Sequence, residues 1–154
     1  MAPMDRNTAL LLAFIAGAML AMQAAFNARL GALLGNAPRA AGAAFVTASI
    51  CVLGLSLLWP SGPEPTPAVP LWLWCAGGLL SAVAVSTCVV LIPRVGMAPV
   101  ITLTLTGQLL AALVAGHFGW LGLPVSPLTP RRTLGALVFL IGAWMVTYDN
   151  ASAG

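Results

Sequence analysis

Long apolar stretches separated by short polar or proline-rich segments dominate the hydrophobicity pattern of this chain. Each stretch is close to the length of about 20 residues that a helix needs to cross a hydrocarbon core about 30 Å thick. Strands of membrane barrels are about half as long and alternate in polarity, which these stretches do not. The pattern therefore predicts five transmembrane helices, at residues 8–28, 40–59, 71–92, 98–117 and 131–148.

Charged residues are scarce and confined to the connections or the ends of the predicted helices. The chain has three acidic residues, six arginines and no lysine, so only 6% of its residues are charged, against about 25% in soluble domains. The charged positions are Asp5, Arg6, Arg29, Arg39, Glu64, Arg94, Arg131, Arg132 and Asp149. This composition excludes an ordinary water-soluble domain and a disordered chain. The scattered arginines also form no surface for nucleic acid.

The predicted organisation is a single membrane domain over residues 1–154, an all-α integral membrane bundle. Residues 59–70 contain five prolines, which cannot continue a helix, and are predicted to form a surface loop. The alternative for the first stretch is a secretory signal peptide, because Arg6 precedes an apolar run that reaches the small residues 21–25. The run exceeds the usual signal core of about 7 to 15 residues, which favours an intact helix and five crossings.

The arginines are shared equally between the two sides of the membrane. With five crossings, the N-terminal side carries Arg6, Arg131 and Arg132, and the opposite side carries Arg29, Arg39 and Arg94. The loops with more Lys and Arg normally lie on the cytoplasmic side, so equal numbers on the two sides do not select an orientation. Either other charges decide one topology, or copies insert both ways and pair as an antiparallel homodimer, giving ten helices with inverted repeats. A heterodimer with an oppositely oriented paralogue is an equal competitor.

Two pairs of polar residues within the apolar stretches are the candidate site. Gln23 and Asn27 in the first stretch, and Thr104 and Gln108 in the fourth, are each spaced to share one helical face. Intramembrane polar groups are expected to be functional or to bond between helices. These four residues therefore have two possible roles: they line a substrate site, or they form hydrogen bonds between helices. Hydroxyls that can bond to their own helix are weaker candidates: Thr47, Ser49, Ser56, Ser81, Ser86 and Thr87.

Other residues allow narrower hypotheses. His117, the one histidine, ends the fourth stretch. It either gates transport by protonation or has a structural role, in which it reaches water at the interface or makes a loop hydrogen bond, and we favour the structural role. Gly135, Phe139 and Gly142 share a face of the fifth stretch that suits close packing, in a dimer or within the chain. The three cysteines form no CxxC pattern and are interpreted as small buried apolar residues. No metal, cofactor or catalytic set is indicated, so an enzyme is not expected.

Four stretches carry a resemblance to a known family. They are residues 23–31 (QAAFNARLG), 91–96 (LIPRVG), 106–110 (TGQLL) and 117–124 (HFGWLGLP). In this order and at this spacing the chain resembles the drug/metabolite transporter (DMT) superfamily, specifically its short five-helix YdcZ-like branch. The resemblance implies a multi-pass protein of the inner (plasma) membrane, a half-sized unit that pairs, and movement of small molecules.

One difference between this chain and members of the family concerns the transported molecule. Members of this branch tend to carry an Asp immediately before the His-Phe-Gly stretch, where this chain has Gly116. No predicted helix contains a carboxylate that could pair with a buried cation. We therefore expect a transporter protomer for a neutral or zwitterionic molecule. The alternative is a non-transporting subunit or scaffold of a larger membrane complex.

Overall fold

The computed structural model describes residues 5–58 and 69–151, and for residues 149–151 it describes the backbone alone. Every regular element in these ranges is helical: α1 (Arg6–Leu34), α2 (Ala37–Leu58), α3 (Leu71–Val95), α4 (Met97–Phe118), a 3₁₀ turn (Trp120–Gly122) and α5 (Pro130–Ala151). The predicted all-α class is confirmed. Glu64 and most of the predicted proline-rich loop lie outside the described residues.

Local hydrogen bonds explain where α1 begins and ends. At its start the Asp5 carboxylate accepts a bond of 3.1 Å from the Thr8 amide, and hydrogen bonds from Thr8 hold the pKa of this carboxyl below its ordinary value. The helix runs past the predicted limit at residue 28 to Leu34 and ends at Gly35, whose φ of 60° is left-handed. Asn36 then starts α2 by accepting a bond from the Arg39 amide.

The helices form two compact units, one up to Pro93 and one from Arg94 onward. In the first unit α1 contacts α2, and the buried positions are mostly small, including Ala28, Gly31, Ala40 and Ala41. In the second unit α4 contacts α5. Small residues let helix backbones approach closely where lipid provides no hydrophobic driving force between helices.

Most large apolar side chains lie on the surface of the single chain. Leu57 and Leu58 of α2, Leu79 and Leu80 of α3, and Phe14 of α1 are well exposed. α1, α2, α3 and α4 are long and apolar enough to cross a membrane by length and composition. Exposed apolar surface is stable in lipid, so these surfaces suit a protein immersed in a bilayer.

α5 covers the predicted fifth crossing but is not among the four helices that meet that standard within the described residues. It begins with Pro130, Arg131 and Arg132 and carries Asp149 near its end, which lowers its mean hydropathy. The fifth helix is therefore present, and its passage through the membrane stays a prediction.

Candidate functional site

Asn27 is a buried polar residue in the C-terminal half of α1. Its side chain is 7% exposed, and its amide nitrogen Nδ2 has no hydrogen-bond partner in the described part of the chain. A side-chain amide nitrogen carries two donors and its carbonyl oxygen accepts. Asn27 thus holds a buried hydrogen-bond donor for which the described residues provide no acceptor.

Gln23, the predicted companion of Asn27, is exposed. The two residues are four apart on α1 and share a face, but the buried residues of this helix are Asn27, Ala28 and Gly31. Packing therefore covers one side of α1 around residues 27–31 and leaves the Gln23 side chain accessible one turn earlier. The structure separates the predicted pair into one buried and one accessible amide.

Gly31 follows Asn27 by one helical turn and lies in close contact with α2 and α3. A Cβ atom placed on Gly31 would lie 2.7 Å from Val89 Cγ1 and 3.6 Å from Ala40 Cβ. α1, α2 and α3 therefore approach each other closely here, which fixes the backbone that carries Asn27. Sequence reasoning missed this contact, since a glycine between apolar residues gives no signal of what will face it.

The predicted pair on α4 also divides. Thr104 is half-buried, and its hydroxyl donates to the Val100 carbonyl at 2.7 Å. Gln108 is exposed, and the neighbouring Gly107 has open space beside it. Thr106, which sequence reasoning did not single out, is the buried polar residue of this helix at 9% exposure, and its hydroxyl donates to the Thr102 carbonyl. The hydroxyls of Thr104 and Thr106 thus bond within the helix, whereas the Gln108 amide lies on an accessible face.

His117 accepts a hydrogen bond from the connection that follows α4. The Leu128 amide donates to His117 Nδ1 at 3.3 Å, and the Ser126 amide donates to the Gly116 carbonyl at 2.8 Å. Arg132 completes this arrangement by donating to the Ser126 hydroxyl and to the Pro127 carbonyl. The connection between α4 and α5 is therefore held against the end of α4, and a gating role for His117 stays a prediction.

The glycine face predicted on α5 is open in the single chain. Gly135 and Gly142 have no neighbouring atoms within 4 Å of a built Cβ, and Phe139 is exposed. The buried residue of this helix is Ala143, so α5 uses another face within the chain. The face of Gly135, Phe139 and Gly142 remains free for other contacts.

The remaining features of the described residues are a groove on α5 and the cysteines. An open groove of about 570 Å³ is lined by Trp144, Met145, Val146 and Tyr148, none of which is a predicted lining residue. Among the described residues no group of His, Cys, Asp and Glu could hold a metal ion. The predicted burial of the cysteines is wrong for Cys51 and Cys75, which are exposed, because most of each helix surface faces outward in this chain.

A comparison with models of known protein families matches most of the chain. A family model described as "Putative inner membrane exporter, YdcZ" matches residues 8–145. The match includes all four stretches that carry the resemblance noted from the sequence and both polar pairs. No curated protein and no solved structure matches the chain significantly.

Proposed function

Because the chain belongs to the YdcZ family of inner membrane exporters, we propose that it is a protomer of a transporter that moves a small neutral or zwitterionic molecule across the inner membrane. The family match confirms the expected family, and with four helices suited to crossing a membrane it confirms a multi-pass inner membrane protein. The match also supports the general function of a membrane transporter. The cargo class and the assembly are our proposal.

The observation that carries the cargo class is the position of the acidic residues. Asp5, Glu64 and Asp149 all fall outside the predicted spans. A cation in a low-dielectric site is costly without a counter-charge, and this chain offers none within its spans. Amide groups donate and accept hydrogen bonds without fixing the charge of their partner, so they suit an uncharged or internally balanced molecule.

The proposed lining residues are Gln23 and Asn27 on α1 and Thr104 and Gln108 on α4. Gln23 and Gln108 are accessible and Thr104 is half-buried, so three of these residues lie on faces that a solute or a second chain can reach. Each pair is placed by its own compact unit. Interhelical hydrogen bonding is the competing role for each amide.

The proposed assembly is an antiparallel pair, formed with a second copy or with an oppositely oriented paralogue. Two features support it: the arginines are divided equally between the two sides, and the face of Gly135, Phe139 and Gly142 is not covered by the described residues of the chain. Small-residue faces allow close helix contacts in lipid. Paired in opposite orientations, two chains give the inverted repeats on which many transporters are built.

Reconstitution into lipid vesicles tests this function. Flux of L-alanine, glycine betaine, acetamide and the cation tetraphenylphosphonium is compared with flux in protein-free vesicles. Above the protein-free background, we expect flux of at least one of the first three and none of the cation. Gln108→Leu should then lower flux of that molecule by roughly tenfold or more, since the loss of about 1.4 kcal/mol is a factor of ten, while membrane insertion is unchanged.

Asn7→Leu is the matched control, because it makes a similar change at an exposed position of α1 outside the proposed lining. Flux of tetraphenylphosphonium alone would contradict the cargo class. Unchanged flux in Gln108→Leu would remove this residue from the lining. Absence of flux for every compound would favour the non-transporting subunit.

A further inference from the structure

The amide of Asn27 differs from the more enclosed threonine hydroxyls of α4. Thr104 and Thr106 each donate to a carbonyl of their own helix, at 2.7 and 2.8 Å respectively. Asn27 Nδ2 is buried and has no acceptor in the described part of the chain. The Asn27 amide nitrogen makes no such bond to the backbone of α1 in the described chain, so its acceptor must come from elsewhere.

The unpaired donor of Asn27 lowers the stability of the protein, and the close packing of α1 prevents the side chain from finding an acceptor nearby. Ala28 and Gly31 are the other buried residues of α1, and neither side chain can accept a hydrogen bond. At Gly31 the approach of Val89 leaves no space for a Cβ atom, so the helix cannot easily shift to find a partner. A buried donor without an acceptor loses its hydration without compensation.

We infer that Asn27 is the residue that selects the transported molecule for an acceptor oxygen, by donating from Nδ2 to a carbonyl, carboxylate or hydroxyl oxygen of that molecule. This inference rests on the proposed transport function. Contact with Asn27 requires that the side chains packed around the C-terminal part of α1 separate, a motion that an alternating-access cycle supplies. Solutes of similar size that lack an acceptor oxygen are then rejected, because they leave the donor unpaired.

The first test measures thermal unfolding of the detergent-solubilised protein without added probe. Asn27→Leu keeps a similar size and removes both donors, so its unfolding midpoint should rise by about 2–8 °C. Asn27→Thr should raise it in the same direction, because a hydroxyl here can donate to the Gln23 carbonyl, as Thr104 does to Val100. Asn7→Leu, at an exposed position of the same helix, should leave the midpoint unchanged.

A midpoint that is unchanged or lower in both Asn27 variants overturns the inference. Such a result would mean that the amide is already paired, for example with an acceptor on a second copy of the chain. Two variants are used so that misfolding of one, for reasons of side-chain shape, does not decide the outcome.

The second test measures flux in vesicles with L-alanine, glycine betaine and acetamide, each of which carries an acceptor oxygen. For whichever probe the wild type moves, Asn27→Leu and Asn27→Thr should lower flux at least about tenfold, and Asn7→Leu should not. Equal flux in wild type and both Asn27 variants overturns this inference alone. Absence of flux in the wild type overturns the proposed function and the inference with it.

Discussion

At the scale of single residues, side-chain size decides how α1 packs. Gly31 is buried, and its missing Cβ is what allows Val89 Cγ1, Ala37 Cα and Ala40 Cβ to come close. Gly42 on α2 is a glycine of a different kind, since it is exposed and has no atom within 4 Å of a built Cβ. Both positions are glycines in a helix, but only Gly42 has space for an added methyl group.

We predict that Gly31→Ala lowers the free energy of unfolding by about 1–3 kcal/mol, the usual cost of overpacking. The valine at position 89 is stiff about χ1 and cannot easily turn away from the added methyl group. The measurement is reversible unfolding in mixed detergent micelles. In a Val89→Ala background the effect of Gly31→Ala should shrink, which a double-mutant cycle detects as a coupling energy.

Gly42→Ala is the matched control, and it should be neutral or slightly stabilising, because alanine is the better helix former by up to about 1 kcal/mol. Equal losses for the two glycine substitutions would show that close packing at Gly31 does not stabilise the protein.

At the scale of elements, the connection between α4 and α5 is more ordered than its glycine and proline content suggests. α4 ends at Gly119, whose φ of 62° is left-handed, and a Cβ there would lie 2.8 Å from Val125 Cγ2. Beyond it, residues 126 and 128 return to bond with Gly116 and His117. Arg132, in the first turn of α5, bonds to Ser126 and Pro127. The connection therefore couples the end of α4 to the start of α5.

We predict that His117→Leu increases hydrogen exchange of the Leu128 amide by about fivefold, since a hydrogen bond contributes about 1 kcal/mol. The Leu128 amide donates to His117 Nδ1, and leucine has no acceptor. His117→Asn should retain most of the protection, because its side-chain oxygen can accept in place of Nδ1. Exchange measured by mass spectrometry on peptides covering residues 118–130 distinguishes the two, and equal protection in all three proteins would contradict the assigned bond.

At the scale of the whole molecule, the charge distribution governs how the chain sits in the membrane. The equal division of arginines depends on five crossings, and α5 is the least apolar of the five helices that would make them. If α5 crosses, the termini lie on opposite sides and no loop asymmetry selects an orientation. The proposed antiparallel pair therefore depends on the membrane topology of the chain.

We predict two populations when each terminus carries a reporter that is active on one side of the membrane only. Removing one arginine should tip the balance, because orientation follows the excess of positive charge. Arg6→Ala and Arg29→Ala should shift it in opposite directions, which makes each the control for the other. A single population that neither substitution alters would contradict dual insertion and leave a fixed topology.

The helical class, the approximate bounds of the helices and the placement in a membrane could be predicted from the order of residues alone, whereas the inner membrane followed from the family resemblance. The first three properties depend on runs of apolar side chains and on local breakers such as the prolines of residues 59–70, and both act over a few neighbouring positions. The family resemblance was likewise contained in four short stretches and is confirmed by the match over residues 8–145.

The candidate site was predictable in its residue types and not in its details. Gln23 and Asn27 have the same spacing and chemistry as Thr104 and Gln108, yet Asn27 alone among these residues is buried. That difference arises because packing around Gly31 covers one end of a long helix, and it depends on the size of side chains distant in sequence, such as Val89. Periodicity shows which face a residue shares, whereas only contacts between helices decide which turn of that face is enclosed.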